Sequence, residues 1–182
     1  GDAEKRIKED YLRILRYIRF YLSYSKINHN HKVIKIIKKN LDGVSKISSE
    51  RLLGEFKKLV RSEGFTKLGK DKFCLEIINL IFPQFKNIRI FENLKDYKKN
   101  ILKETDFIIL IALMIIDGTD NVKYFLYKFN VSNNEKKRIL FLDEFFSKKI
   151  NKKSFSKENL WKIFYKEDKQ SLFDLLDFQI FK

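Results

Sequence analysis

Apolar residues return at helical spacing through most of this chain. Ile7, Tyr11, Ile14, Ile18 and Leu22 fall on one face, which predicts a helix from about Arg6 or Glu9 to Tyr24 with that face in a core. The stretch "SKINHNHK" interrupts the pattern. It resumes in "KVIKIIKKNL", where Val33, Ile36, Ile37 and Leu41 are expected to be buried and the lysines solvated. After a loop at "DGVSKISS", Ser48 or Ser49 is placed to cap a helix over "ERLLGEFKKLVRS". "DKFCLEIINLIF" predicts a fourth helix ending at Pro83. "QFKNIRIFENL" then reads as a loop or short helical turn carrying exposed aromatics; Phe85 and Phe91 there could stack bases, although core packing suits them better. A strongly apolar helix covers about Thr105 to Ile116 and closes at Asp117 and Gly118. "NVKYFLYKF" follows, capped by Thr119 or Asp120. Ser132 and Glu135 have the reciprocal capping-box spacing at the head of a longer helix, and two more helices span about Lys157 to Tyr165 and Lys169 to Phe178.

Composition agrees with this pattern. Six glycines and one proline leave few turns for a meander of strands, and no fixed-period repeat or Gly/Ser-rich linker divides the 182 residues. The fold class expected is all-α: an elongated array of about eight to ten helices in two packed sub-bundles. The most apolar run, "FIILIALMII", has ten residues, half of the roughly 20 needed to cross a bilayer, so it reads as a core helix and no membrane partner is expected. Cys74, the one cysteine, excludes an intrachain disulfide, suits a buried apolar position and fits a reducing cytoplasm.

A formal charge of +15 points to a polyanionic partner, because clustered cations displace counterions from phosphate. Part of that excess has a plainer source, since abundant Lys, Asn, Ile and Phe also follow from an AT-rich genome. Little in the chain resembles a catalytic centre. His29 and His31 stand two apart in a polar loop and read as solvated, so no metal site is expected. The glycines form no phosphate cradle, and there is no nucleophile elbow or Cys/His pair.

One segment departs from plain amphipathicity. "EDYLRILRYIRF" places Asp10, Arg13, Arg16 and Arg19 at an interval of three, with Glu9 four residues before Arg13. On one helix that interval advances about 4.5 Å with a drift of about 60°, giving an inclined ridge. Arg occupies three of these positions although the chain holds 31 Lys and only 8 Arg. Glu9 or Asp10 can hold one edge of the Arg13 guanidinium while the other stays available. A carboxylate beside a guanidinium offers an acceptor next to donors. Adenine and cytosine present the complement, an amino group beside an unprotonated ring nitrogen, whereas guanine and uracil present a carbonyl beside a ring N–H. Arg16 and Arg19 are suited to phosphates. The plainer alternative is a salt-bridged surface.

These residues resemble the neck of the class II CCA-adding tRNA nucleotidyltransferases and the related bacterial poly(A) polymerases. The family pattern E-D-x-x-R followed by L-R-x-x-R-F is met by Glu9, Asp10, Arg13, Leu15, Arg16, Arg19 and Phe20, and an R-x-x-x-E element by Arg51 and Glu55 in "ISSERLLGEF". The match covers about residues 1–62; beyond it the helical character agrees only in kind. Tyr11 and Ala3 stand where the family commonly has proline.

The resemblance implies that Asp10 and Arg13 read the base of incoming ATP or CTP, that Glu9 orients Arg13, that Arg16 and Arg19 help hold the nucleotide, and that Arg51 and Glu55 brace the neck. It implies a neck over 1–62 and a tRNA-binding body and tail over 63–182. The family's D-x-D carboxylates and phosphate loop, which bind Mg2+ in a catalytic head, are not in this sequence. A chain opening "GDAEKR" is accordingly read as a headless part of a nucleotidyltransferase, inactive by itself. Poly(A) addition, or a non-catalytic helical RNA-binding module, are the alternatives.

Overall fold

A computed structural model describes residues 2–148, 150 and 152–182. Among these residues the regular elements are α-helices and short 3-10 turns, with no strand. Contacts cluster in two compact units, one formed by the chain up to Pro83 with Phe91–Leu94, the other by Gln84–Ile90 with Lys95–Lys182.

The first unit contains α1 (Ala3–Glu9), α2 (Arg13–Tyr24), α3 (His31–Lys39), α4 (Ser49–Val60) and α5 (Lys72–Ile81), with 3-10 turns at Leu41–Lys46 and Phe65–Lys70. Asp2 caps α1 by accepting from the Glu4 and Lys5 N–H groups, and Ser48 caps α4 by accepting from Arg51 N–H. α2 packs along α4. The former buries Ile14, Leu15, Ile18 and Leu22, the latter Leu52, Phe56, Leu59 and Val60. The Phe56 ring meets Phe65 and Phe82, and Phe65 meets Phe91 at 5.3 Å between centroids, so Phe91 is a core residue of this unit. In α3 only Ile37 is fully buried; Val33, Ile36 and Leu41 are covered less than the periodicity predicts.

Where the periodicity predicts one helix from about Arg6 or Glu9 to Tyr24, the chain forms two. Asp10 takes an extended backbone (φ −153°, ψ 104°) and ends α1. Its Oδ1 accepts from Leu12 N–H at 3.2 Å and its carbonyl accepts from Arg13 N–H at 3.0 Å, so a local side-chain bond replaces a helical turn.

The second unit holds α6 (Asp96–Glu104), α7 (Phe107–Ile115), α8 (Asn121–Lys128), α9 (Asn133–Ser147), α10 (Lys157–Lys166) and α11 (Lys169–Phe181), with a 3-10 turn at Lys152–Phe155; the turn Ile88–Phe91 contributes Ile88–Ile90 to this unit and Phe91 to the first. Every residue of α7 is buried, and α8, α9 and α11 pack around it. A helix apolar on all sides has to be central to its unit. Gly118 follows it with φ +79°, a left-handed position that suits glycine. The capping box of Ser132 and Glu135 opens α9. The sequence pattern does not predict α6, whose nine residues are mostly polar and bury only Leu102. Phe85 packs inside this unit against Phe125.

Arg138, buried on α9, donates to both oxygens of Asp174 on α11 at 2.7 and 2.8 Å and to Asp106, the α7 cap, at 2.8 Å. Hydrogen bonding to Asp174 holds the pKa of this guanidinium above its ordinary value despite burial. One cation thus ties together three helix-forming segments. No helix among the described residues is long and apolar enough to cross a membrane.

Candidate functional site

The turn between α1 and α2 gathers the charged residues singled out by the sequence. Asp10 lies in the turn, off the ridge expected of a single helix. Its Oδ1 accepts from Arg51 Nη2 at 3.3 Å besides Leu12 N–H, and its Oδ2 faces Arg16 Nη1 at 3.4 Å. A carboxylate has about four acceptor positions, so Oδ2 retains capacity for a further donor. Arg13 opens α2. Its closest acid is Glu9, with Nη2 at 3.9 Å from Oε2, too long for a hydrogen bond, and its buried Nε finds no hydrogen-bond partner among the described residues. The Arg13 side chain is 39% exposed and that of Asp10 23%, so both reach solvent on one turn of backbone.

Arg16 and Arg19 are more committed. Arg19 donates from Nε and Nη2 to Glu55 Oε1 at 3.2 and 3.0 Å, while Arg16 Nε stands 3.5 Å from Glu55 Oε2. Glu55 is only 3% exposed, and its charge is balanced by these two arginines together with Lys58 at 3.5 Å. The Arg19 guanidinium also lies 4.4 Å from the centroid of the Phe20 ring. Arg51 and Glu55, one turn apart on α4, therefore reach Asp10 and α2 respectively. The chemical result is a fixed lattice of alternating charge, with Asp10 held from behind and Arg13 left with donors to spare.

His29 departs from its expected solvated state. Its Nε2 lies 3.0 to 3.1 Å from the Asp71 carboxylate and 3.7 Å from Cys74 Sγ, its Nδ1 lies 2.8 Å from Tyr17 Oη, and its ring stacks on Tyr21 at 3.5 Å. Asp71 and Cys74 are 42 and 45 residues away in sequence, so loop composition gave no sign of them. A signal was present in the D-x-x-C spacing of Asp71 and Cys74 at a helix start. Burial, and then the Asp71 charge, push the Cys74 thiol well above its ordinary pKa. Burial also raises Tyr17 to about 12.

The aromatics open to solvent are other than Phe85 and Phe91. Tyr124 and Tyr127 project from α8, and Trp161 and Tyr165 stack on α10 at 5.7 Å. The latter two border a cavity of about 720 Å³ with Lys148, Lys162 and Lys166. Amphipathic pattern alone could not separate these rings from core ones.

Proteins with described activities are similar to parts of this chain. The chain is 43% identical over 65 residues to the mitochondrial CCA tRNA nucleotidyltransferase 1 of Mus musculus, covering 35% of this chain and 15% of that protein. The Homo sapiens counterpart is 44% identical over 62 residues, 33% of this chain and 14% of the relative. A bacterial protein, the CCA-adding enzyme of Staphylococcus haemolyticus (strain JCSC1435), is 30% identical over 141 residues, 76% of this chain and 32% of its own length. No protein-family model matches the chain. An all-helical chain with a braced acid–arginine turn is thus a relative of nucleotidyltransferases. More particularly, its curated relatives are CCA-adding enzymes, bacterial and mitochondrial, and the matched part spans about one-third of their length or less.

Proposed function

We propose that this chain is the nucleotide- and tRNA-recognising C-terminal part of an enzyme that adds CMP and AMP to tRNA 3' ends from CTP and ATP, the catalytic head lying elsewhere in the polypeptide. The observation that carries this reading is the contrast within one turn: Asp10 is held from behind by Arg51 and Arg16, whereas Arg13 keeps donors that no acid approaches closer than 3.9 Å. Residues 1–62 act as the neck and residues 63–182 as body and tail.

In this reading the free position on Asp10 Oδ2 accepts from the exocyclic amino group of cytosine or adenine, and an Arg13 Nη donates to the neighbouring ring nitrogen. Uracil and guanine present a carbonyl to the carboxylate and an N–H to the guanidinium, leaving both protein groups opposed. Such paired contacts discriminate by about 1 to 3 kcal/mol per base, and unsatisfied buried partners sharpen rejection. Glu9 steers Arg13 at long range. Arg16 and Arg19 face the phosphates with the donors that Glu55 does not take, and Arg51 with Glu55 keeps α4 and α2 in register so that the turn is preorganised.

Mg2+ is assigned to carboxylates of the head, for which this chain offers no D-x-D equivalent. When bound there it would stabilise the charge that develops on the triphosphate. The lysines and stacked rings around Trp161 and Tyr165 suit an RNA backbone and its splayed bases, and so support a tRNA-holding tail.

The test is extension of a tRNA transcript lacking its 3' CCA by the chain joined to its preceding head, with CTP, ATP and Mg2+. The expected product ends in CCA. No extension by a folded, joined protein would overturn the assignment.

A further inference from the structure

We infer that His29, Asp71 and Cys74 form a divalent transition-metal site in the first unit, with Zn2+ the best-matched ion. The three candidate ligand atoms, His29 Nε2, an Asp71 carboxylate oxygen and Cys74 Sγ, lie within 4.8 Å of one another. Donor atoms of a tetrahedral site with metal bonds of about 2.0 to 2.3 Å are separated by roughly 3.3 to 3.8 Å. The observed separations of 3.0 Å from nitrogen to oxygen and 3.7 Å from nitrogen to sulfur already approach that figure. A nitrogen, an oxygen and a sulfur donor together suit Zn2+ better than Mg2+ or Ca2+, which prefer oxygen alone.

The groups behind the donors are arranged as supports. Asp71 Oδ1 accepts from Cys74 N–H at 2.8 Å in capping α5, which orients the carboxylate with both oxygens within 3.1 Å of His29 Nε2. Tyr17 Oη at 2.8 Å from His29 Nδ1 fixes the ring from its far side, and Tyr21 and Phe73 enclose it by stacking and edge contact. Outer partners of this kind set the imidazole tautomer and the local dielectric of metal sites.

Proton accounting is simple. Without metal, Tyr17 O–H donates to Nδ1 and His29 Nε2–H donates to Asp71. On binding, the imidazole proton resides on Nδ1 and is donated to Tyr17 Oη, Nε2 turns its lone pair to the metal, and the Cys74 thiol releases one proton to solvent. Three protein ligands leave a fourth position for water. The site lies where the 25–30 loop, α2 and α5 meet, so its role is to lock that loop onto the two helices.

The test is titration of Co2+ into the full chain under reducing, chelator-free conditions. One equivalent should give the intense visible bands of four-coordinate Co2+ and a sulfur-to-cobalt charge-transfer band in the near ultraviolet, both abolished by equimolar Zn2+, which should also raise the melting temperature. Cys74→Ala should lose the charge-transfer band, and Tyr17→Phe should keep it while weakening affinity by about 10- to 100-fold. If Cys74→Ala does not fold, X-ray absorption of the Zn2+-loaded wild-type chain decides, with a sulfur neighbour expected at about 2.3 Å. Absence of the charge-transfer band, or a zinc shell without sulfur, would make the cluster a hydrogen-bonded packing triad and overturn the proposal.

Discussion

Replacing Glu55 by Ala should destabilise the first unit by about 2 to 3 kcal/mol, a figure that follows from the geometry of its partners. Removing one member of a buried ion pair costs about 3 to 5 kcal/mol, because the other charge is left desolvated. Here the carboxylate is 3% exposed, but Arg19 is 22% exposed and stands over Phe20, so water and the ring recover part of the loss. Arg16 and Lys58 both lie at 3.5 Å with side chains 39% and 64% exposed, adding no more than about 0.5 kcal/mol each. Urea unfolding followed by far-ultraviolet circular dichroism measures the change as a shift in midpoint at constant slope. Glu55→Gln should recover less than half of it, since the amide accepts a hydrogen bond without neutralising a cation. A cycle with Arg19→Ala should give a coupling of at least about 1 kcal/mol, as expected of direct partners. A Glu55→Ala variant within about 0.5 kcal/mol of wild type would refute the idea that this carboxylate holds α2 to α4.

Other perturbations have equally definite outcomes. Asp174→Ala leaves the buried Arg138 with Asp106, a half-exposed carboxylate, and should cost about 3 kcal/mol by the same unfolding assay, the low end for breaking a buried ion pair, whereas Arg138→Met with Asp174→Leu should cost much less. Gly54→Ala meets nothing within 4 Å in the middle of α4 and should stabilise by about 0.5 to 1 kcal/mol, while Gly64→Ala would drive a methyl group into the Leu22 backbone and should destabilise by about 1 to 3 kcal/mol. Hydrogen bonds from Lys8, and then Lys39, hold the Glu4 carboxyl down from the ordinary 4.5 to about 2. Its contribution is present above pH 4.5 and is lost as pH falls through about 2; carbon-detected NMR titration should show that midpoint rising when both lysines become alanine.

The elements most legible in the sequence were those whose signal is local. Ser132 and Glu135 announced α9, and the apolar run at Phe107 announced the central α7. The break at Asp10 was not legible, because the apolar residues continue in phase across it while the aspartate side chain takes the Leu12 N–H for itself. α6 escaped for the opposite reason, its mostly polar residues burying Leu102 alone. At the candidate site, residue types and spacing picked out the charged residues, but their pairing was partly unexpected: Asp10 engages Arg51 and Arg16, and leaves Arg13 nearly alone. The D-x-x-C spacing of Asp71 and Cys74 is local, but the approach of His29 to them joins segments more than 40 residues apart, which no local pattern encodes.

Arg13 can be replaced without disturbing the brace, since its nearest acid is at 3.9 Å and takes no part in the Asp10 or Glu55 contacts. The decisive measurement is therefore the ratio of kcat/KM for CTP over UTP, and for ATP over GTP, in the protein joined to its head with and without Arg13→Ala. Loss of one base-reading contact predicts that both ratios fall by about 5- to 150-fold, corresponding to about 1 to 3 kcal/mol. Ratios unchanged in a variant that still transfers nucleotide would contradict the account.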